Sequence, residues 1–191
     1  TCLYRFKHDF KNNELNSLIK HIEDNSLSEQ NGQIVKRTGS QTQDELHKID
    51  TFTNLTNTIT EVSKSILDEQ GYMGEVEITN MWGNILRPQS QRAHAPHTHS
   101  NNFLSGVFYL KTSDNTSPIQ FFDPRPQSDV LKPRKKEYNR LNSNIAQFQS
   151  ETGWGVVFPS WLQHWVPETK DERISIAWNI IVRGEYGEPN A

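Results

Sequence analysis

The order of apolar patterns along the chain predicts an α+β fold with most of its mass in strands. Two stretches of helical spacing come first. Near residue 75 the period drops to two, and short apolar runs broken by Pro or Gly then continue almost to the end. Helices followed by many strands put the helices against one face of an antiparallel sandwich.

The first helix is read over residues 14–22, where Leu15, Leu18, Ile19 and Ile22 form one stripe behind Asn12 and Asn13 as a cap. Residues 28–50 are polar, contain Gly32 and Gly39, and read mostly as loop, with a short strand at Ile34–Val35. The second helix is read over 52–70, with Phe52, Leu55, Ile59, Val62 and Ile66 recurring at three and four and Gly71 as its stop. Each has a single apolar stripe and needs a surface to cover.

Alternation begins with Val76, Ile78, Asn80, Trp82, Asn84 and Leu86. Further strands are read at 103–111, 119–122, 144–149, 155–158, 163–166 and 173–183, seven or eight in all. The expected organisation is one domain over 1–191, a helical support region at 1–74 and a strand core at 75–183. The last strand is the most informative. Arg173, Ser175, Ala177 and Asn179 fall on one side, and Ile174, Ile176, Trp178 and Ile180 on the other. A fatty face under helices and a polar face opposite describe a strand lining a cavity.

Composition narrows the function classes. The 191 residues are 33% hydrophobic and 10% aromatic, with five Trp and nine Phe, enough for one sizeable core and too aromatic for disorder. No apolar run approaches the ~20 residues of a membrane span. One cysteine, Cys2, excludes an internal disulfide framework and a cysteine-built zinc site, and points to a reducing, cytoplasmic compartment. A net charge of −3 gives no field spread for nucleic acid. The run Lys132-Pro-Arg-Lys-Lys136 with Arg140 could meet a nucleic acid backbone or an acidic protein, but reads by default as a solvated loop.

The chemistry sits in the histidines. On a strand, His97 and His99 project from one side, roughly 7 Å apart by backbone rise, so both imidazoles can reach one metal. His94, three before His97 and beyond Pro96, breaks that parity and reads as a surface or supporting residue. His164 opens a strand after Phe158-Pro-Ser-Trp-Leu, and Arg173 follows nine residues later with Ser175 on its face. A buried guanidinium with a neighbouring hydroxyl is a carboxylate clamp, and burying that cation without an anion would cost several kcal/mol. Trp154, Trp161 and Trp165 lie near this region and could stack on a substrate, although core packing is the commoner role.

Trp82-Gly-Asn84, His97-Thr-His99, Ser105-Gly-Val-Phe-Tyr109-Leu, Phe122-Asp-Pro-Arg125, Phe158-Pro-Ser-Trp-Leu-Gln-His164 and Arg173-Ile-Ser175 together resemble the 2-oxoglutarate/iron(II)-dependent oxygenases. That superfamily carries HxD/E…H…RxS on a double-stranded β-helix (a jelly roll, cupin-like), and the chain is most similar to a group of its small members. The resemblance covers roughly residues 75–183. It implies His97 and His164 as iron ligands, and Arg173, Ser175 and Tyr109 on the distal carboxylate of 2-oxoglutarate. Asn84 would touch the other end of the cosubstrate, and Asn179 shares the clamp face. It further implies Fe(II), 2-oxoglutarate and O₂ as cofactor and cosubstrates. The activity would be a dioxygenase reaction yielding succinate and CO₂ and oxidising a C–H bond of a protein side chain or small metabolite.

One position departs from that pattern. His99 stands where the superfamily has Asp or Glu, so the third ligand is His99, a carboxylate elsewhere with Asp123 foremost, or water. A neutral third ligand leaves the metal with one more unit of positive charge. Three other readings stay in view: a cupin-like binding module with a non-catalytic metal, a three-histidine zinc hydrolase, and a three-histidine oxygenase without 2-oxoglutarate. Arg173 with Ser175 argues against the first and last. The hydrolase has no Glu near the histidines to act as base. Neither the prime substrate nor the oligomeric state is written in the sequence.

Overall fold

The computed structural model describes residues 2–30, 33–36, 41–88, 94–125, 127, 130–139 and 141–187. Gly32, Gly39 and Arg140 lie outside them. In chain order the elements are β1 (Tyr4–Lys7), α1 (Glu14–Asn25), β2 (Leu27–Gln30), β3 (Gln33–Lys36), α2 (Thr53–Gln70), β4 (Glu75–Leu86), β5 (His94–His97), β6 (Leu104–Lys111), β7 (Ile119–Phe122), β8 (Ile145–Phe148), β9 (Trp154–Pro159), β10 (His164–Val166) and β11 (Arg173–Arg183), with two 3₁₀ turns at Leu46–Lys48 and Asp50–Phe52.

Both helices form where the apolar stripes predict them. Gly71 closes α2 in the left-handed conformation (φ 74°), its N–H bonding back to the Asp68 carbonyl. Asn13 occupies the N-cap of α1, yet its side chain accepts from the Asn16 amide instead of a helix N–H. The Glu14 carboxylate reaches back to accept the N–H of Lys11, ahead of the helix. Residues 28–50, expected mostly as loop with a short strand at Ile34–Val35, hold that strand as β3 and, beyond the expectation, its hairpin partner β2 and a 3₁₀ turn. The N-terminal region also supplies a strand that the sequence reading missed, since β1 pairs antiparallel with β9. Four residues are too few to show a period.

Two sheets face each other, one ordered β1-β9-β6-β11-β4 and the other β5-β10-β7-β8, every pairing antiparallel. The five-stranded sheet has two unlike faces. Outward, Ile174, Ile176, Trp178 and Ile180 of β11 join Phe108, Met81 and Ile85 in one core cluster with Leu18 and Ile22 of α1 and Leu55, Ile59 and Ile66 of α2. Close approach is built in: a Cβ at Gly83 would lie 2.7 Å from Ile22, and one at Gly106 2.2 Å from the Trp178 ring. Inward, Val107, Tyr109, Val156 and Phe158 meet Ile119, Phe121 and Val166 of the smaller sheet. That second core fills one part of the sandwich, and a cavity occupies the rest. No helix among the described residues is long and apolar enough to cross a membrane.

Candidate metal and cosubstrate site

A cavity of about 500 Å³ lies between the sheets. Three imidazoles converge on one wall: a ring nitrogen from each of His97, His99 and His164 lies within 4.8 Å of the others. His164 opens β10, pairing with His97 of β5 on one side and Phe121 of β7 on the other. His99 arrives differently from the strand-parity argument. β5 ends at His97, and His99 is held outside it by its own N–H, which donates to the Ser160 carbonyl at 2.9 Å.

Hydrogen bonds fix the tautomers. Nδ1–H of His97 donates to the Ala95 carbonyl (2.6 Å) and Nδ1–H of His164 to the Leu162 carbonyl (2.9 Å). A carbonyl cannot donate, so Nδ1 carries the proton and Nε2 keeps its lone pair. The Nε2 atoms of His99 and His164 are 3.2 Å apart. Two nitrogens held at right angles about 2.1 Å from a first-row ion would be spaced by about 3.0 Å. Burial, reinforced by the neighbouring His97, lowers His99 to about 4, and burial lowers His164 to about 4 against its bond to Leu162. Both are therefore unprotonated at neutral pH, as a metal ligand must be. These residues fit a divalent ion.

Another part of the same cavity fits a carboxylate. Arg173 is 1% exposed, its Nη1 donates to the Ser175 hydroxyl at 2.9 Å, and its guanidinium lies 4.8 Å from the Tyr109 ring centre. Its Nε and the Tyr109 hydroxyl are buried with no hydrogen-bond partner. Burial raises the Tyr109 pKa against the pull of the Arg173 charge, so the phenol stays protonated and able to donate. Asn84 pairs in register with Ser175 and also lines the cavity. Two orphaned donors and a cation without an ion-pair partner among the described residues make a receptor for an anion.

Not every expected residue joins this group. Asn179 faces the cavity, but six residues from Arg173 along β11; its amide bonds Asn80 and Ser105. Asp123 lies outside the cavity lining. Its carboxylate takes three bonds from the Arg125 backbone and guanidinium, and those bonds hold its pKa at about 2. Trp154 sits beneath the Arg5 guanidinium (3.7 Å), and Trp161 is 57% exposed. None of Trp154, Trp161, Trp165 or the segment Lys132–Lys136 lines the cavity.

Two residues were passed over. Trp82 lines the cavity with its ring 6.1 Å from that of His99. His94, read as a surface or supporting residue, also faces the cavity, because β5 pairs with β10 irregularly: His164 opposes His97, while Val166 opposes His94. Three residues of β5 match two of β10, and the extra residue lets both histidines turn inward. Burial and the charge of Arg173 lower His94 to about 4. A bulge leaves no trace in alternation, but the inward parity of Trp82 with Asn84 was readable.

Comparison with known proteins agrees with this geometry. The chain is similar in structure to AviO1 from Streptomyces viridochromogenes Tue57 (TM-score 0.63, 13% identity, 98% of this chain and 92% of that one). It is likewise similar to a Pseudomonas putida prolyl-4-hydroxylase (0.62, 14%, 95% and 93%). A third likeness is to the α-ketoglutarate-dependent epimerase SnoN from nogalamycin biosynthesis (0.64, 10%, 94% and 78%). At such identities the likeness shows the fold, the double-stranded β-helix. A search of curated proteins gave no match. The family model described as "Putative 2OG-Fe(II) oxygenase" matches residues 80–179, a span that contains all three histidines, Arg173 and Ser175. The chain belongs to the 2OG-Fe(II) oxygenases, enzymes that work with iron(II), 2-oxoglutarate and O₂.

Proposed function

We propose that the protein is a hydroxylase whose prime substrate is a protein side chain or a small metabolite. His97, His99 and His164 hold the iron, and Arg173, Ser175 and Tyr109 hold the distal carboxylate of 2-oxoglutarate. The observation that carries this reading is one cavity lined both by three converging imidazoles and by a buried guanidinium that has no ion-pair partner among the described residues. Iron(II) and 2-oxoglutarate held there would supply the oxidising chemistry: 2-oxoglutarate would lose CO₂ and take one oxygen atom of O₂ to become succinate, and the other atom would enter a C–H bond of the substrate as a hydroxyl.

Each residue has a task that its surroundings explain. The carbonyls of Ala95 and Leu162 orient the rings of His97 and His164 and leave Nε2 free. Arg173 offers a charged donor, and Ser175, already accepting from Arg173, has its own hydroxyl proton left for the ligand. Tyr109 gives a third donor. Asn84, beside Ser175, is suited to touch the cosubstrate nearer the metal. His99 is favoured over Asp123 because its ring already meets the other two, whereas the Asp123 carboxylate is occupied by Arg125. The whole chain, 1–191, acts as one domain with the helices of 1–74 backing the strands of 75–183. Its exposed Cys2 suits a reducing compartment such as the cytoplasm.

The test is anaerobic titration with Fe(II) and 2-oxoglutarate. A weak visible charge-transfer band is expected, absent from Arg173→Ala, followed by succinate formation on admitting O₂. No band and no succinate would leave a ligand-binding module. Iron affinity should fall further in His99→Ala than in Asp123→Ala. The opposite order would make the carboxylate the ligand.

A further inference from the structure

Across the inner face of the larger sheet runs a line of buried polar side chains that neither the metal nor the clamp uses. Ser160 follows β9, Ser105 lies on β6, Asn179 on β11 and Asn80 on β4, neighbours in the strand order. Ser160, Ser105 and Asn179 are at most 3% exposed. Buried groups of this kind cost stability unless bonded, so their pairing has a direction that can be followed.

Ser105 donates to Oδ1 of Asn179 at 2.6 Å, which uses its only proton. Ser160, 2.8 Å away, must therefore donate to Ser105. Nδ2 of Asn179 donates to Oδ1 of Asn80 at 2.8 Å, while the neighbouring Thr79 hydroxyl spends its proton on Oδ1 of Asn102, also at 2.8 Å. The carboxamide of Asn80 is thus fixed through its oxygen. Its NH₂ has no acceptor among the described residues, and the side chain lines the cavity. At the other end of the line, the Ser160 carbonyl holds the His99 N–H. Two residues along β4, Trp82 brings its indole beside His99.

Resting on the oxygenase reading above, we propose that Asn80 and Trp82 form the prime-substrate subsite, and that it takes an uncharged amide. The Asn80 NH₂ donates to the amide oxygen, and the planar group lies on the indole. Arg173 is the only cation lining the cavity among the described residues. It stands about 20 Å along β11 from Asn179, beyond reach of a group at this end. No carboxylate among the described residues lines the cavity, so an ammonium group finds no partner among them. A peptide bond and a free carboxamide share the recognised chemistry.

The experiment is anaerobic calorimetry on the protein loaded with iron(II) and 2-oxoglutarate. Four probes are compared: N-acetylalanine methylamide, propionamide, N-acetylalanine and propylamine. The amides should bind at least about tenfold more tightly than the carboxylate and the amine. A lead for N-acetylalanine methylamide marks a peptide substrate, and a lead for propionamide a small carboxamide; either upholds the subsite. Asn80→Asp keeps the acceptor that Asn179 needs but removes the donor, so it should lose about tenfold for the amides and gain for propylamine. A merely structural Asn80 would not produce that reversal. Equal binding of all four probes, or unchanged amide affinity in Asn80→Asp with an unchanged melting temperature, overturns the proposal. If the wild type shows the iron–2-oxoglutarate band and no amide binds, the subsite alone falls. If there is no band, the oxygenase reading falls and takes the subsite with it.

Discussion

Arg173 is buried at the wall of the cavity, and its partners among the described residues are one hydroxyl and the face of one phenol ring. Such a guanidinium gains most when a carboxylate arrives. Truncating it should therefore weaken 2-oxoglutarate by about 30-fold or more, the lower end for removing one side of a buried charge pair. Equilibrium binding to Arg173→Ala checks this, with Arg173→Lys expected to recover only part because an ammonium cannot make the forked contact. At the metal, His164→Ala should cost more iron affinity than the roughly 10–100-fold lost with an outer hydrogen-bond partner, as competition with a chelator would show.

Among the elements, β6 and β11 meet across Gly106 and Trp178, and the missing side chain makes room for the indole. Gly106→Ala forces a methyl to within 2.2 Å of that ring, in the centre of the outer core. The expected loss is about 1–3 kcal/mol, measurable as a lower denaturation midpoint. The long strands were legible in the sequence because alternation over many residues survives local noise; Arg173–Arg183 falls where the pattern put it, and Leu104–Lys111 lies within the span read at 103–111. Two kinds of feature were not. β1 is four residues long, and β5 hides behind a proline that only an edge strand tolerates. The same strand carries the bulge that turns His94 inward, and a register change shows only when the partner strand is known. His99 reached the site for a reason other than parity, through its bond to Ser160. Asn80 could be placed on the inner face by sequence, but its donor is fixed by three residues far apart in the chain.

For the molecule as a whole, the histidines couple folding to acidity. His94, His99 and His164 are lowered to about 4, chiefly by burial, from an ordinary 6.5. Between those values the unfolded chain binds more protons than the folded one, so metal-free protein should lose stability as pH falls from about 6.5 towards 4. Above about pH 7 these groups add no slope. Melting temperatures of the metal-free protein across pH 4–8 would show the decline, and saturating metal should steepen it because the bound form excludes those protons.

Buried Arg173 would also make the fold answer to metabolism. A small diacid seated against it would stabilise only the native chain, by about 2.7 kcal/mol at a hundred times its dissociation constant. When such acids are scarce, more molecules stand open to chaperones and proteases. Abundance of the enzyme would then follow the supply of the compound it consumes, without any dedicated regulator.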